Sequence, residues 1–169
     1  MPNEPQLFDI VVLGAGTGGY AAAFRAGQLG LKVALVDDNP KGIGGTCLHI
    51  GCIPTKAMLE SADLIDRIKH AGEFGVEVAE PAVDAAAIAA RRDKIVTRLV
   101  KGVTSLVKKN KVEYVLGRGR LEGPQQVRVA TLDADGKSAG EVILKASDVI
   151  LATGSRVKSL PGLEPDGKH

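Results

Sequence analysis

The chain has 169 residues, of which 44% are hydrophobic and 25% are charged, so it is long enough for one ordinary globular domain with a real core. Its net charge of +2 gives no strong field for nucleic acid or an anionic membrane, and 3% aromatic residues without tryptophan argue against a base-stacking surface. No segment approaches the roughly 20 apolar residues of a membrane span and no basic, cleavable leader precedes the first apolar run, so we expect a cytoplasmic protein.

The first predicted element is a buried parallel strand that leads directly into a glycine-rich turn. Residues 7–13 form a nearly continuous apolar run, and Gly14, Gly16 and Gly19 then fit the pattern G-x-G-x-x-G. In a dinucleotide-binding fold the first glycine makes the tight turn, the second lets the backbone approach a pyrophosphate, and the third allows close helix packing. The pattern therefore predicts a phosphate-binding turn at the start of a helix.

A helix, a second strand and an acidic residue follow in the order that this fold requires. Residues 20–29 read as the helix, and the apolar run 32–36 ends in Asp37, about twenty residues after the glycines. An acid at this position accepts hydrogen bonds from ribose hydroxyls. Asp38 stands beside it, so the sequence leaves open which of the two carboxylates does so.

The only two cysteines, Cys47 and Cys52, lie five positions apart in a stretch rich in glycine. On an ideal helix their Cα atoms would be about 8 to 9 Å apart, beyond the roughly 7 Å limit for a disulfide. A bridge therefore needs a distorted helix, and Gly51 with Pro54 predicts a bend followed by a helix. Such a small, strained bridge would be readily reduced, and Cys52 at a helix start, with Lys56 nearby, would favour a thiolate.

The cysteines have two other interpretations. Free cysteines are often buried and unreactive core residues, so the spacing alone does not establish a redox pair. A zinc site needs further ligands, and only three histidines are present, so we predict no metal. The flanking Gly-Gly-Thr and Pro-x-Lys sequences favour the redox pair.

The rest of the chain predicts two helices, a connector and several strands. Helices are expected over 55–71 and 84–109, joined by a connector with a strand-like piece at 75–78. The basic face of the second helix is interpreted as solvated rather than as a phosphate-binding patch. A strand over 112–116 ends in Gly117-Arg118-Gly119, where a ligand approach and a plain turn are equally plausible.

The last predicted elements are a hairpin and a buried strand. Residues 126–132 and 141–146 flank a turn signal at 133–136, and 148–152 reads as a further strand. Thr153 and Gly154 then lie at the carboxyl edge of the sheet, where ligands bind in such folds. We assign residues 1–155 to one domain and 156–169 to a linker.

The segment Gly44 to Ala57, GGTCLHIGCIPTKA, resembles the redox-active site of the FAD-dependent pyridine nucleotide disulfide oxidoreductases. Its C-L-x-x-G-C-I-P-[ST]-K form is most similar to the members that oxidise dihydrolipoamide. The resemblance extends over essentially the whole chain through the glycines at 14–19, Gly117-x-Gly119 and Ala152-Thr153-Gly154. It implies an α/β, Rossmann-like FAD-binding domain with a central parallel sheet, flanking helices and a small antiparallel β-meander.

The resemblance also implies roles for individual residues. Cys47 would exchange with the substrate, and Cys52 would lie against the flavin as the charge-transfer thiolate. Asp37 takes the place of a usual Glu, and His49 stands where Asn is common, as a packing or capping variant. The implied cofactor contacts are Gly14, Gly16, Gly19, Asp37, Asp38, Gly45, Thr46, Cys47, Lys56, Gly119, Thr153 and Gly154.

Family members are several hundred residues long, with a second glycine fingerprint for NAD that has no counterpart here. We therefore expect the chain to be the FAD part of a longer, homodimeric dehydrogenase that transfers electrons from dihydrolipoamide on a lipoyl domain to NAD. The alternatives are a sister disulfide or mercuric reductase and a free-standing FAD-binding module without catalysis.

Overall fold

The computed structural model describes residues 4–155, 158–163 and 166. Five strands, four α-helices and one short 3-10 helix make up this part of the chain. In chain order they are β1 Gln6–Leu13, α1 Thr17–Gln28, β2 Val33–Asp37, α2 Gly45–His49, α3 Cys52–Lys69, the 3-10 helix Ala71–Phe74, α4 Ala85–Lys109, β3 Glu113–Gly123, β4 Gln126–Leu132 and β5 Ser138–Leu151. The predicted α/β class is confirmed.

The strands form one sheet that closes on itself in the order β1, β2, β3, β4, β5. β1 lies parallel between β2 and β5, and β2 pairs in parallel with the first residues of β3. β4 pairs antiparallel with the later part of β3 and the first part of β5. The sheet therefore has a parallel part, formed by β5, β1, β2 and the start of β3, and an antiparallel part, in which β3, β4 and β5 follow one another in the order of the predicted meander.

The core lies on both faces of β1, as its continuous apolar sequence predicts. Val12 packs with α1 and α4 residues such as Phe24 and Val107 on one side of the sheet. Val11 faces the inside of the closed sheet, together with Val127 and Leu144. Successive side chains of a strand point to opposite faces, so a strand covered on both sides must be apolar throughout.

Three local expectations are wrong. The strand-like piece predicted at 75–78 does not form, because Gly75 ends the 3-10 helix at φ +73° and residues 76–84 contain no helix or strand. Gly117 and Gly119 neither end a strand nor make a turn, because β3 runs through them to Gly123. The two predicted strands 141–146 and 148–152 are one continuous strand, β5. Its first part pairs with β4 and its later part pairs with β1.

The predicted linker, residues 156–169, lies partly outside the described residues, and its described positions contain no helix or strand. None of the helices in the described part of the chain combines the length and apolarity that crossing a bilayer requires.

Candidate functional site

The glycine turn between β1 and α1 can be built only with glycine at two of its positions. Gly14 has φ +99°, and a Cβ on it would overlap the carbonyl oxygen of Ala152, just after β5. A Cβ on Gly19 would overlap the carbonyl oxygen of Gly14. The turn and the helix thus pack backbone against backbone, as the G-x-G-x-x-G pattern predicts.

The N-terminus of α1 has the properties of an anion site. Gly16 is its N-cap residue, no side chain caps it, and its first turn contains no acidic residue. A Cβ on Gly16 would have only the Cα of Gly45 within 4 Å, at 3.9 Å. The first N–H groups of a helix have no partner within the helix and carry its positive dipole, so a phosphate group fits here.

The cysteine stretch docks directly on this glycine turn. The Gly44 N–H donates a hydrogen bond to the Ala15 carbonyl oxygen at 2.9 Å. Gly45, the first residue of α2, has φ +61°, and a Cβ on it would lie 2.7 Å from the Cα of Gly16. The two motifs, separated in sequence by about thirty positions, are therefore in backbone contact at the same edge of the sheet.

The two cysteines lie on either side of a bend between two helices, as predicted. Cys47 belongs to α2 and Cys52 is the first residue of α3. A Cβ on Gly51 would lie 2.8 Å from the Thr46 carbonyl oxygen and 3.2 Å from the Cα of Cys47, so glycine is needed for this close return of the backbone. Both cysteines are free thiols; Cys47 is partly exposed and Cys52 is exposed, so the interpretation as two buried cysteines is wrong.

The thiols interact with each other and are not equivalent. A hydrogen bond between the side chains of Cys47 and Cys52 is the largest cause of a raised pKa at Cys47, followed by desolvation and by the charge of the Cys52 thiolate. The Cys52 backbone N–H and the charge of Lys56 lower the pKa of Cys47 in opposition. Cys47 is therefore the thiol that keeps its proton more strongly than an isolated cysteine does. The thiolate preference of Cys52 stays a prediction.

A cleft of about 280 Å³ lies beside the glycine turn, at the carboxyl ends of β1 and β2 and against β3. It brings together five of the predicted contacts with four further residues. Its lining is Leu13, Gly14, Val36, Asp37, Asp38, Gly117, Arg118, Gly119 and Thr153.

The two neighbouring carboxylates in this cleft have different partners. Asp37 Oδ2 accepts the Ala15 N–H at 2.6 Å, and Oδ1 accepts the Asn39 N–H at 2.9 Å. Asp38 Oδ2 instead accepts a hydrogen bond from Arg118 Nε at 3.2 Å. From the sequence, Asp37 and Asp38 are alternatives for the same contact. In the structure Asp37 accepts backbone N–H groups, whereas Asp38 pairs with the side chain of Arg118.

The remaining predicted contacts are distributed around the same edge. Thr153 lies against Gly14. A Cβ on Gly119 would lie 2.6 Å from Leu13 Cδ2 and 3.1 Å from Val36 Cγ1, so these core side chains would have to shift to admit a larger residue at 119. Thr46 follows Gly45 and is exposed, Lys56 is exposed on α3, and Gly154 has φ +72° with nothing near its missing Cβ.

His49 contacts the preceding loop and caps no helix, which agrees with the packing part of its interpretation as a packing or capping variant. Its Nε2 lies 2.9 Å from the Gly42 carbonyl oxygen, which ties the loop after β2 to α2. Within the part of the chain that the structure describes, no group of His, Cys, Asp and Glu side chains has the arrangement of a metal site.

Two structurally important residues received no individual role from the sequence. Gly44 holds the start of α2 against the glycine turn through its N–H bond to the Ala15 carbonyl oxygen, and its place in a run of glycines was the available signal. Arg118 was noted only as part of a glycine-rich segment. A charged side chain between two strand glycines was the available signal.

The family model for pyridine nucleotide-disulphide oxidoreductases matches residues 8–169. A dihydrolipoyl dehydrogenase of Zymomonas mobilis is 47% identical over 162 residues, which cover 96% of this chain and 33% of the relative. A dihydrolipoyl dehydrogenase of Bacillus subtilis is 44% identical over 164 residues, covering 95% of this chain and 34% of the relative. A leghemoglobin reductase of Vigna unguiculata is 45% identical over 161 residues, covering 95% and 30%.

The chain thus spans about one third of the length of the curated relatives it matches. The family match covers both the glycine turn and the cysteine stretch, whose first residues, Gly44 and Gly45, contact that turn. The chain belongs to the pyridine nucleotide-disulphide oxidoreductase family.

Proposed function

We propose that this chain supplies the FAD-binding and dithiol-exchange part of a dihydrolipoyl dehydrogenase. The observation that carries the proposal is the contact of Gly45 with Gly16, which sets the start of the cysteine helix on the dinucleotide turn. The cysteine stretch therefore starts at the same edge of the sheet as the turn that would hold the pyrophosphate. The names of the relatives from Zymomonas mobilis and Bacillus subtilis support the same activity.

The residues present fit FAD. The uncapped N-terminus of α1 would hold the pyrophosphate, and the cleft lined by Gly14, Gly119 and Thr153 would hold the adenosine end. Thr46 and Lys56 would contact the pyrophosphate and flavin regions. Asp37 or Asp38 would lie at the ribose. The resulting domain is the Rossmann-like FAD domain that the sequence predicts.

The cysteine pair would exchange electrons with a dithiol such as dihydrolipoamide. With the pair oxidised, a substrate thiolate attacks Cys47 Sγ, the Cys47 to Cys52 bond breaks, and the Cys52 thiolate leaves. The second substrate thiol then displaces Cys47, so the substrate becomes a cyclic disulfide and both cysteines are reduced. The raised pKa of Cys47 helps it to keep a proton once it is released. When bound, FAD would supply the redox chemistry that links the reduced cysteine pair to NAD.

The complete protein would bind NAD outside this chain, form a homodimer and accept dihydrolipoamide carried on a lipoyl domain, in the cytoplasm. These proposals concern the remaining two thirds of the length found in the relatives.

The test uses the parent protein purified from its source. We expect a flavin absorption spectrum and NAD-dependent oxidation of dihydrolipoamide. Exchanging Cys47 for Ser should abolish turnover and leave the flavin bound. Preferential reduction of glutathione disulfide or of mercuric ion would reassign the protein to a sister reductase. Bound flavin with no dithiol turnover would favour the non-catalytic module.

A further inference from the structure

We propose that a cavity next to the cysteine helices binds a small monocarboxylate that carries an apolar chain or ring. The cavity has a volume of about 570 Å³ and lies between the loop after β2, α2, the first turns of α3 and part of α4. The described residues that line it include neither cysteine and none of the residues proposed to hold FAD. The site is therefore additional to the proposed cofactor and dithiol sites.

Contacts between neighbouring elements hold the walls of the cavity in place. His49 Nε2 lies 2.9 Å from the Gly42 carbonyl oxygen, which joins α2 to the loop after β2. A Cβ on Gly42 would lie 3.2 Å from Val100 Cγ1, so the same loop packs against α4. Arg91 Nη1 donates a hydrogen bond to the Ala57 carbonyl oxygen at 2.8 Å, which joins α4 to α3. Since the walls are joined in this way, a ligand can bind with little reordering of the protein.

One part of the lining is apolar. Pro54 and Met58 contribute to it from α3, and Val96 contributes from α4. Ile50, directly after α2, adds a side chain that is 76% exposed. Covering such side chains removes apolar surface from water, and the flexible side chain of methionine adapts to ligands of different shape. This part of the cavity fits the apolar body of a ligand.

The other part of the lining has an excess of positive charge. Lys41 lines the cavity from the loop and Arg92 from α4, whereas Asp93 is the only carboxylate among the described lining residues. Arg92 donates to Asp93 Oδ1 through Nε at 2.9 Å and Nη2 at 2.8 Å. Within the part of the chain that the structure describes, Arg92 Nη1 and the Lys41 ammonium group make no hydrogen bond. The Arg92 side chain is only 32% exposed, so solvent screens its charge less than that of a surface cation.

This distribution of charge decides which ligands fit. A carboxylate that enters the cavity meets two cationic donors and can accept hydrogen bonds from both. The same cations would repel an ammonium group. A phosphate monoester has about two negative charges and would bring the second one towards Asp93. A single negative charge on an apolar body is therefore the chemistry that the lining complements.

The experiment measures ligand binding to the parent protein, as isolated from its source, by isothermal titration calorimetry. The probes are octanoate, octanamide, octylammonium and acetate, which separate the effect of the charge from that of the chain. We expect octanoate to bind about tenfold more tightly than octanamide, the value of one charge-assisted hydrogen bond. Octylammonium should bind more weakly than octanamide because of the cations, and acetate more weakly than octanoate because it lacks the chain.

Variants locate the site. Lys41→Met and Arg92→Met should each lower the affinity ratio of octanoate to octanamide towards one. Met58→Gln should weaken both probes together and keep the ratio. The matched control is Lys94→Met, on α4 but outside the lining, and it should change neither affinity. Cys47→Ser should also leave octanoate binding unchanged. Because each ratio is taken within one variant, a change in the folded fraction cancels.

Equal affinity of the unaltered protein for octanoate and octanamide would overturn the proposal. So would a ratio that Lys94→Met lowers as much as Lys41→Met and Arg92→Met do. Loss of octanoate binding in Cys47→Ser would place the ligand at the cysteine pair and overturn it as well. The proposed function is tested separately by the flavin spectrum and the oxidation of dihydrolipoamide, which none of these results alters.

Discussion

Gly45→Ala should separate the cysteine stretch from the glycine turn. The new Cβ would lie 2.7 Å from the Cα of Gly16, where carbon atoms normally approach to about 3.5 to 4.0 Å. The two backbones must therefore move apart by about 1 Å. Both atoms in this contact are backbone atoms, and the neighbouring hydrogen bond from Gly44 to Ala15 holds the two segments together. The overlap therefore cannot be relieved by rotating a side chain.

The cost has two parts. Gly45 has φ +61°, and a residue with a Cβ in the left-handed region costs about 1 to 2 kcal/mol. Overpacking a close contact costs a further 1 to 3 kcal/mol, roughly, while the lower entropy of unfolded alanine returns about 0.4 to 1 kcal/mol. We expect the free energy of unfolding to fall by about 2 to 4 kcal/mol, a large share of the 5 to 15 kcal/mol, roughly, of a typical domain.

The assay is urea unfolding of the variant, with Gly102→Ala as the matched control. Gly102 lies in α4 with no atom near its missing Cβ, so this control should be more stable by about 0.5 to 1 kcal/mol. FAD affinity should fall in Gly45→Ala and stay unchanged in the control. Equal stability of Gly45→Ala and the unaltered chain would refute the close packing of the two motifs.

Three further predictions concern the thiols and the core. In Cys52→Ala the pKa of Cys47 should fall, because the side-chain hydrogen bond and the charge of Cys52 that raise it are removed, while the Cys52 backbone N–H that lowers it stays. Cys47 should then be alkylated at lower pH, which mass spectrometry measures. Arg91→Met should lower the free energy of unfolding by about 0.5 to 1.5 kcal/mol, because the 2.8 Å hydrogen bond from Arg91 to the Ala57 carbonyl joins α4 to α3. Tyr114→Phe should leave that free energy unchanged or raise it by up to about 1 kcal/mol, because the buried hydroxyl has no partner among the described residues.

Each of these has a control. Cys52→Ser keeps a hydroxyl that can bond to Cys47 but carries no charge, so its alkylation profile should lie between those of the unaltered chain and Cys52→Ala. Arg98, on α4, makes no side-chain hydrogen bond within the part of the chain that the structure describes, so Arg98→Met should not change the stability. A Tyr20→Phe exchange tests a partly buried ring against Phe24 and should be neutral. A large loss of stability in Tyr114→Phe would contradict the absence of a partner for its hydroxyl.

The sequence alone gave the main elements because their signals are local. An apolar run, three glycines and a helical period predict β1, the turn and α1, and Gly51 with Pro54 predicts the bend between the cysteines. The strand predicted at 75–78 is wrong because a few alternating apolar residues form a strand only where a neighbouring strand is available to pair with them. Residues 148–152 looked separate because Ser147 and Asp148 interrupt the apolar pattern, although β5 passes unbroken through them from one partner to the next.

What the sequence by itself determined about this protein is a nucleotide-type strand, turn and helix, followed by a bent cysteine pair. Only the tertiary structure decided that Gly45 packs on Gly16, that Asp37 bonds to Ala15, and that Arg118 reaches Asp38. The reason is physical: turns and helix starts depend on a few neighbouring residues, whereas each of these contacts joins positions from 22 to 80 residues apart. Such contacts exist only after the sheet has set which backbone edges meet.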